Sequence, residues 1–210
     1  MSPATPRVAG LYAIADSTYL RDDDFVPAVR AVLAGGARVV QYRDKKNPPV
    51  RRETLARALN AICREHGVPL LINDDVPLAA AVGAAGVHLG RDDPGIGAAR
   101  ATLGPTALIG VSCYNELTRA RTAQDAGADY VAFGRFFASR TKPQALPATL
   151  ELLRVARAAL KIPIVAIGGI TPENGASLIA AGADALAVIE GVFNQPDIRA
   201  AAERYARLFE

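Results

Sequence analysis

Residues 164–174 have the sequence IVAIGGITPEN, in which an apolar run ends at two glycines. Because consecutive positions of the run are apolar, it predicts a parallel strand that is buried on both faces. Gly168 and Gly169 carry no side chain, so their backbone N–H groups can approach a ligand closely. Thr171 and Pro172 are typical of the start of a helix. The stretch therefore predicts either a phosphate-binding turn at a helix N-terminus or a plain strand-to-helix connection.

A second pattern recurs four times along the chain. A glycine-alanine phrase ends an alanine-rich helical stretch and leads into an apolar strand, at residues 35–41, 83–90, 127–134 and 182–189. The glycine is the usual stop signal of a helix. Another apolar run precedes each of these strands, at residues 8–15, 68–73, 107–112 and 162–168. The chain therefore has eight predicted strands.

Helical segments separate the strands. The predicted helices cover residues 51–65, 77–82, 96–103, 117–126, 148–160, 173–181 and 199–208. Strands that alternate with helices at this spacing indicate βαβ units and a parallel sheet. Eight units favour an α/β fold of the (β/α)₈ TIM barrel type over an open doubly wound sheet, which would not usually reach eight units with a repeat at every second strand.

Composition indicates a globular chain. Of 210 residues, 50% are hydrophobic and 21% are charged, which excludes intrinsic disorder and is enough for a sizeable core. The sequence has no low-complexity segment and no run that resembles a linker. We therefore expect residues 1–210 to form one domain.

Net charge indicates the class of ligand, and the cysteines indicate the cellular compartment. The net charge of +3 suits an anionic small molecule but is too weak to predict nucleic-acid binding. No apolar run approaches the roughly 20 residues that a membrane span requires, and no secretion signal is evident. Cys63 and Cys113 are far apart and lack metal-binding spacing, so we expect reduced thiols in a cytoplasmic protein. The oligomeric state is left open, with a homo-oligomer among the alternatives.

Basic and amide side chains follow several of the predicted strands. In a (β/α)₈ barrel the site lies at the carboxyl ends of the strands, so these residues should share one rim. Arginine and lysine bind phosphate oxygens, arginine through a fork of donors and lysine as a point charge. The candidates for a phosphate-rich anion are Gln41, Arg43, Lys45, Asn73 and Lys142.

Two aspartates, Asp74 and Asp93, follow neighbouring strands at the same rim. Carboxylates beside phosphate-binding cations indicate Mg²⁺, which takes one or two carboxylates and fills its remaining positions with water and phosphate oxygens. We expect neither aspartate to have a charge partner other than this metal. Purely structural alternatives are an Arg43–Asp44 ion pair and a helix cap made by Asp92 and Asp93.

The two histidines do not indicate a catalytic triad. His88 lies within a predicted strand and should be a hydrogen-bonded interior group, and His66 lies at a helix end. Because neither histidine lies clearly at the rim, hydrolysis by a Ser–His–acid triad is disfavoured. No lysine lies within an apolar strand, which disfavours Schiff-base chemistry. The rim instead favours cleavage of a C–O bond to a departing diphosphate, with a second phosphorylated substrate as nucleophile.

Six motifs in order resemble the thiamine-phosphate synthase family over about residues 10–193. They are QYRDK at 41–45, INDD at 72–75, GVHLGRDD at 86–93, GVS at 110–112, SRTK at 139–142 and VAIGGI at 165–170. The resemblance implies a (β/α)₈ fold and a Mg²⁺-dependent transfer. In that reaction diphosphate leaves hydroxymethylpyrimidine diphosphate, and the resulting pyrimidine-methylene cation is captured by the ring nitrogen of 4-methyl-5-(2-hydroxyethyl)thiazole phosphate, which gives thiamine phosphate.

The resemblance also implies roles for individual residues. The pyrimidine diphosphate would be bound by Gln41, Arg43, Lys45, Asn73 and Lys142. Asp74 and Asp93 would hold Mg²⁺, and Ser112 would lie by the pyrimidine and the reacting centre. The residues expected to act in catalysis are Arg43, Ser112 and Lys142. The thiazole phosphate would be contacted by Ser139, Thr141, Gly169 and the backbone at Ile189 and Glu190.

The chain departs from the family pattern at Arg91, Arg135, Ser139, Tyr114 and Glu190, where Gln, Pro, Thr, His and Ser are usual. We expect the Glu190 side chain to turn away from the thiazole phosphate, towards Arg135 or Arg140. One alternative function is a thiazole tautomerase or a related regulatory protein, whose acid–base histidine would fall at Tyr114. Another is a different phosphate-binding barrel enzyme, which would account for the glycine turn but not for Lys45, Asp74 and Asp93.

Overall fold

Eight parallel strands form the centre of the protein within residues 8–138 and 147–210, the residues that this computed structural model describes. They are β1 (Gly10–Asp16), β2 (Val39–Arg43), β3 (Leu70–Asn73), β4 (Gly86–Leu89), β5 (Leu108–Tyr114), β6 (Tyr130–Gly134), β7 (Ile164–Ile167) and β8 (Ala185–Val188). Each strand pairs with the next along the chain, and β8 pairs with β1. The predicted (β/α)₈ barrel is confirmed.

Helices connect the strands and cover the outside of the barrel. They are α1 (Phe25–Ala34), α2 (Pro49–Glu65), α3 (Val76–Val82), α4 (Ile96–Leu103), α5 (Leu117–Asp125), α6 (Leu150–Ala159), α7 (Pro172–Ala180), α8 (Glu190–Phe193) and α9 (Ile198–Ala206). In the described part of the chain, none of the helices has the length and apolar character to span a bilayer. The predicted helices agree with these bounds to within one or two residues, as is usual for fraying ends.

Side chains cap the starts of several helices, and glycines end helices as the sequence predicts. Asp75 begins α3 and accepts a hydrogen bond from the Leu78 backbone N–H at 2.9 Å. Thr149 begins α6 in the same way, with Leu152 N–H at 3.1 Å. The glycines of the repeated phrase follow helices with a positive φ, which other residues rarely adopt: Gly36, Gly83, Gly127 and Gly182. Each glycine therefore ends a helix and redirects the chain into the next strand.

Side chains alternate between two buried layers. One face of the strands packs against the helices in a large cluster that includes Phe25, Leu59 and Phe133. The other face fills the inside of the barrel with a smaller cluster that includes Tyr12 and Tyr130. Such filling is typical of eight-stranded barrels, whose interior is a packed core rather than a pore.

Two glycines inside the barrel make room for neighbouring atoms. A Cβ atom on Gly86 would lie 1.8 Å from the Leu108 carbonyl oxygen. A Cβ atom on Gly110 would lie 1.9 Å from Cζ of Tyr130, so the tyrosine ring occupies the space that a side chain would take. These glycines are required for packing, and Gly110 in particular allows Tyr130 to reach the middle of the barrel.

Three features of the elements differ from the sequence prediction. β2 continues to Arg43, so Gln41 lies within the strand rather than after it. β5 continues to Tyr114, with an irregular register between Ser112 and Tyr114 against β6. The short helix α8 was not predicted, because four residues are too few to show a helical period. The longer strands β2 and β5 place the side chains of Gln41, Ser112 and Tyr114 inside the barrel mouth instead of on its edge.

Gly110→Ala should destabilise the protein, because the new methyl group and the Tyr130 ring cannot occupy the same space. We expect the free energy of unfolding to fall by at least about 1–3 kcal/mol, the usual cost of overpacking a core. Gly97→Ala is the control, since nothing lies within 4 Å of the position that its Cβ atom would take. That helical substitution should be neutral or stabilising by up to about 1 kcal/mol. Equal denaturation midpoints for the two variants would contradict the packing argument.

Candidate active site

A cavity of about 460 Å³ opens at the carboxyl ends of the strands and is lined by residues from all eight of them. Seven residues predicted from the sequence line it: Gln41, Arg43, Asn73, Ser112, Gly169, Ile189 and Glu190. Lys45, Asp74 and Asp93 belong to the loops beside it. Ser139, Thr141 and Lys142 lie outside the described residues, as does Arg140. The structure therefore brings most of the predicted set together at one rim.

Arg43 is held by a buried carboxylate from the neighbouring strand. Its Nη1 donates to Oδ2 of Asp16 at 2.5 Å, and the Asp16 side chain is fully buried while the Arg43 side chain is 24% exposed. The backbone N–H of Thr18 donates to the other Asp16 oxygen at 2.7 Å. Arg43 thus pairs with Asp16, and the alternative of an Arg43–Asp44 pair is wrong. The arginine is fixed in place with part of its fork facing the cavity.

Asp44 instead stabilises the loop that carries Lys45. Its carboxylate accepts hydrogen bonds from the backbone N–H groups of Lys46 and Asn47 at 2.9 and 3.1 Å, and from the Tyr42 hydroxyl at 2.8 Å. Burial alone would raise the pKa of Asp44, but these donors outweigh it and lower the pKa to about 2. A lowered carboxylate pKa stabilises the folded protein above about pH 4, and this contribution is lost as the pH falls through 2.

Lys45 is paired with one of the two predicted metal ligands. Its Nζ lies 2.5 Å from Oδ2 of Asp74, and although burial alone would raise the pKa of Asp74, this ammonium helps to lower it. The expectation that Asp74 has no charge partner other than a metal is therefore wrong, because the barrel places the Lys45 loop next to β3. Asp74 has a positive φ of 63°, a conformation that aspartate tolerates better than most residues.

Asp93 adjoins Asp74 across the loops that follow β3 and β4. The pKa of Asp93 is raised, mainly by burial and also by the neighbouring Asp74 carboxylate. A hydrogen bond from the Gly90 backbone N–H, at 2.5 Å, lowers the pKa but does not outweigh these two effects. The N-cap of α4 is Gly95, so the alternative of a helix cap made by Asp92 and Asp93 is wrong. Two adjoining carboxylates repel each other unless a proton or a cation lies between them.

The donor set fits Mg²⁺ better than a metal that needs a full set of protein ligands. In residues 8–138 and 147–210, no group of three or more His, Cys, Asp or Glu side chains could hold a metal ion. Mg²⁺ commonly uses one or two carboxylates and completes its octahedron with water and substrate phosphate. Asp74 and Asp93 supply that number.

The two glycines of the turn after β7 line the cavity and also allow close packing of the neighbouring segment. Gly168 and Gly169 have φ angles of 106° and 63°. A Cβ atom on Gly168 would lie 2.4 Å from Cβ of Arg135, and one on Gly169 would lie 2.3 Å from the Ala138 carbonyl oxygen. The glycines are thus needed partly because the segment after β6 packs directly on the turn, which the sequence alone could not reveal.

Helix α7 begins directly beyond this turn, as predicted. Thr171 is its N-cap and Pro172 its first residue. The backbone N–H of Thr171 donates to the Asn174 side chain at 2.8 Å, so this donor is already used within the protein. The remaining geometry is that of a strand, a glycine turn and a helix N-terminus at the edge of the cavity, which suits an anionic group.

The floor of the cavity contains a continuous line of hydrogen bonds. Gln41 Nε2 donates to the Tyr12 hydroxyl at 2.7 Å, and the Tyr12 and Tyr130 hydroxyls lie 2.8 Å apart. The Tyr130 hydroxyl lies 2.8 Å from His88 Nδ1, and His88 Nε2 lies 2.9 Å from Ser112 Oγ. The prediction that His88 is a hydrogen-bonded interior group is confirmed. The line joins two residues expected to contact substrate, Gln41 and Ser112.

Tyr114 forms part of the cavity wall. Its φ is 55°, and the guanidinium carbons of Arg91 and Arg119 lie 4.9 and 5.9 Å from its ring centre. Arg91 also forms an ion pair with Glu116. Arg119 donates to the backbone carbonyls of Ser112 and Gly90, at 2.8 and 3.1 Å. The Tyr114 ring is therefore held by two cations.

Glu190 lies at the opposite side of the cavity, directly after β8. Its Oε2 accepts a hydrogen bond from the Tyr19 hydroxyl at 3.4 Å, which links it to the loop between β1 and α1. The side chain therefore contacts a neutral donor on this loop, a neighbour that the sequence did not predict. The expected orientation towards Arg135 or Arg140 stays a prediction, because Arg140 is not among the described residues.

Three residues of the site were missed by the sequence analysis. Asp16 could have been found, because it ends the first apolar run as Asn73 ends the third strand. Tyr12 and Tyr130 gave no signal, since a tyrosine inside an apolar run usually belongs to the core. Only the closure of the barrel brings their hydroxyl groups together.

Asp16→Asn should destabilise the protein, because it removes the negative partner of a largely buried guanidinium. We expect the free energy of unfolding to fall by about 1.5–3 kcal/mol, the usual range for a hydrogen bond to a charged group. Asp24→Asn breaks an exposed ion pair with Arg21 in the same region and serves as the control, with no measurable loss expected. Urea denaturation of both variants measures the difference, and similar small effects would show that Arg43 does not depend on Asp16.

Comparisons with known proteins agree with this geometry. A family model described as thiamine monophosphate synthase matches residues 11–192. The thiamine-phosphate synthase of Nitrosococcus oceani is 56% identical over 202 residues, which cover 96% of this chain and 93% of the relative. That of Thioalkalivibrio sulfidiphilus is 50% identical over the full length of both chains.

A solved structure shows the same arrangement of elements. The thiamine phosphate pyrophosphorylase of Pyrococcus furiosus superposes with a TM-score of 0.86 at 35% sequence identity and covers 95% of each chain. A second pyrophosphorylase structure, from Bacteroides thetaiotaomicron, is only 17% identical with a TM-score of 0.70 and supports the fold alone. The sequence matches and the barrel together show that this chain belongs to the thiamine-phosphate synthase family.

Proposed function

We propose that this protein transfers the hydroxymethylpyrimidine group from its diphosphate to thiazole phosphate, forming thiamine phosphate and releasing diphosphate. The observation that supports the proposal is that groups suited to an anion lie at two separate places on the rim of one cavity. Arg43 and the Lys45–Asp74–Asp93 group lie at one side, and the Gly168–Gly169 turn lies at another. A transferase that joins a diphosphate ester to a second phosphate ester needs both regions at one reacting centre.

In this proposal the chain's own residues bind and orient the departing diphosphate. Arg43 donates charge-assisted hydrogen bonds to its oxygens while Asp16 keeps the guanidinium in position. Asn73 and Gln41 orient the pyrimidine, and Ser112 lies by the carbon from which the C–O bond breaks. The electron pair of that bond leaves with diphosphate, and the thiazole nitrogen then donates its pair to the cationic carbon. Developing negative charge is stabilised by donors fixed before the reaction begins.

Mg²⁺ fits this site through Asp74 and Asp93, and when bound it would neutralise part of the diphosphate charge. Lys45 pairs with Asp74 in the structure. We expect its ammonium group to exchange this carboxylate for a phosphate oxygen when the diphosphate binds. Lys142 is proposed to contribute a further cation.

The direct test is to mix both substrates with Mg²⁺ and the protein and to detect thiamine phosphate by mass spectrometry. Omitting either substrate should abolish the product. Failure to form thiamine phosphate with folded protein would contradict the proposed function. The same assay with the thiazole alone tests the tautomerase alternative, for which Tyr114 stands in place of the expected histidine.

We also propose the cytoplasm as the compartment and small molecules as the partners. Cys63 and Cys113 are both buried and unpaired, and burial raises the pKa of each thiol to about 12. Inert free thiols are typical of proteins that function in a reducing compartment.

Asp74→Asn and Asp93→Asn should each reduce turnover by at least roughly tenfold, about 1.4 kcal/mol in barrier, and weaken Mg²⁺ binding. Asp92→Asn is the matched control, because Asp92 is adjacent and exposed. It should keep both properties. Activity at increasing Mg²⁺ and calorimetric titration of Mg²⁺ in the presence of diphosphate measure the two effects. Full activity of the parent in excess chelator would contradict the metal assignment.

Glu190→Gln tests whether a carboxylate faces the second substrate. If only the backbone at Ile189 and Glu190 contacts the phosphate, removing the charge should change thiazole-phosphate affinity by less than about fivefold, roughly 1 kcal/mol. Tyr19→Phe is the companion variant, because it releases the carboxylate from its hydroxyl donor. If the carboxylate does face the pocket, titration of Glu190→Gln should show thiazole-phosphate binding that is tighter by roughly tenfold or more. Glu190→Ser, the usual family residue, should behave like Glu190→Gln.

A further inference from the structure

Tyr12 and Tyr130 are buried inside the barrel, and each hydroxyl lies between two polar neighbours. Tyr12 is 1% exposed and Tyr130 is fully buried. Burial raises the pKa of both phenols above the ordinary value, so each keeps its proton and must donate one hydrogen bond. Because buried donors rarely lack an acceptor, the direction of each hydrogen bond along the line can be worked out.

The first hydrogen bond of the line is donated by Gln41, whose Nε2 donates to the Tyr12 oxygen. If Tyr130 also donated to Tyr12, the Tyr12 proton would have no acceptor among the described residues. Both phenol protons have an acceptor if Tyr12 donates to Tyr130 and Tyr130 donates to His88 Nδ1. In its neutral form, His88 then carries its hydrogen on Nε2 and donates it to Ser112 Oγ.

We propose that Tyr12 and Tyr130 are positioning residues that hold neutral His88 in the Nε2–H tautomer, so that the Ser112 hydroxyl is directed into the cavity as a donor. Ser112 Oγ accepts from His88 and lines the cavity, so its own proton is available to a ligand. At the other end, Gln41 uses its amide nitrogen on Tyr12, and no described residue donates to its Oε1. The line therefore presents an acceptor at Gln41 and a donor at Ser112.

This pair of groups complements an aminopyrimidine diphosphate, a match that rests on the proposed function. The exocyclic amino group of the pyrimidine can donate to Gln41 Oε1. A ring nitrogen or an oxygen of the departing diphosphate can accept from Ser112. The opposite direction of hydrogen bonds would make Ser112 an acceptor and leave the electron-rich leaving group without this donor.

The tautomer can be measured in the free protein without any substrate. The sequence contains two histidines, so His66→Gln leaves His88 as the sole imidazole. Long-range ¹⁵N–¹H correlation spectra at about pH 8.5, above the usual histidine pKa of about 6.5, distinguish the two neutral forms. We expect a pyrrole-like Nε2 and a pyridine-like Nδ1. A hydrogen on Nδ1 would overturn the proposal, whether or not the protein proves to be a synthase.

Variants separate positioning from a purely structural role. Tyr130→Phe removes the donor to Nδ1, so neutral His88 should become a mixture of tautomers and kcat should fall by at least roughly tenfold. The KM for thiazole phosphate should stay within about twofold, because that region lies elsewhere in the cavity. Tyr12→Phe should change the tautomer less, since Tyr130 can still donate to His88.

Tyr42→Phe is the matched control, because it removes another buried tyrosine hydroxyl that donates to Asp44 outside the barrel. It should leave the His88 tautomer unchanged, because the Tyr42 hydroxyl is not part of the hydrogen-bonded line. Tyr130→Phe with an unchanged tautomer and unchanged kcat would overturn the proposal. Should Tyr130→Phe fail to fold, the spectrum of the His66→Gln protein decides the direction of the line by itself.

Discussion

The closure of eight parallel strands into a barrel is the constraint on which the rest of this structure depends. Closure leaves no free edge and places every carboxyl end at one rim, so residues from distant parts of the chain must meet there. It also leaves a narrow interior, which is why Gly86 and Gly110 face backbone or ring atoms at distances that exclude a side chain. The polar floor of the cavity follows from this narrowness, because the Tyr12 and Tyr130 rings that fill the barrel also bring their hydroxyl groups into contact.

Two cations of the site are positioned before any ligand binds. The loops after β1 and after β2 are joined by the Asp16–Arg43 pair and by hydrogen bonds from Lys46 Nζ to the Ser17 carbonyl at 2.6 Å and from Asn47 to Asp22 at 2.7 Å. Arg43 and Lys45, which are expected to meet diphosphate, thus already have anionic partners in the barrel. Fixed partners reduce the entropy lost on binding, and the charges need little rearrangement when the leaving group develops negative charge.

Two of the residues that depart from the expected family pattern, Arg91 and Tyr114, contact each other. Arg91 and Tyr114 are separated along the chain, yet the guanidinium of Arg91 lies 4.9 Å from the Tyr114 ring centre. Two departures in the sequence are therefore one cation–π contact in the cavity wall. Arg135 is similarly close to Gly168, whose missing side chain makes room for it. These changes surround the cavity without altering Asp74, Asp93 or Arg43.

The sequence by itself predicted the barrel, because glycine stops and doubly apolar strands recur at a spacing that favours a closed parallel sheet over an open one. It also identified most of the rim, including Arg43, Asn73 and Ser112, since strand ends in this fold converge. It did not determine which charges pair, because Asp16 with Arg43 and Lys45 with Asp74 are contacts between separate strands and loops. The tyrosine line was likewise decided only by the tertiary structure, since a hydroxyl inside an apolar run acquires its partner when the far side of the barrel closes over it.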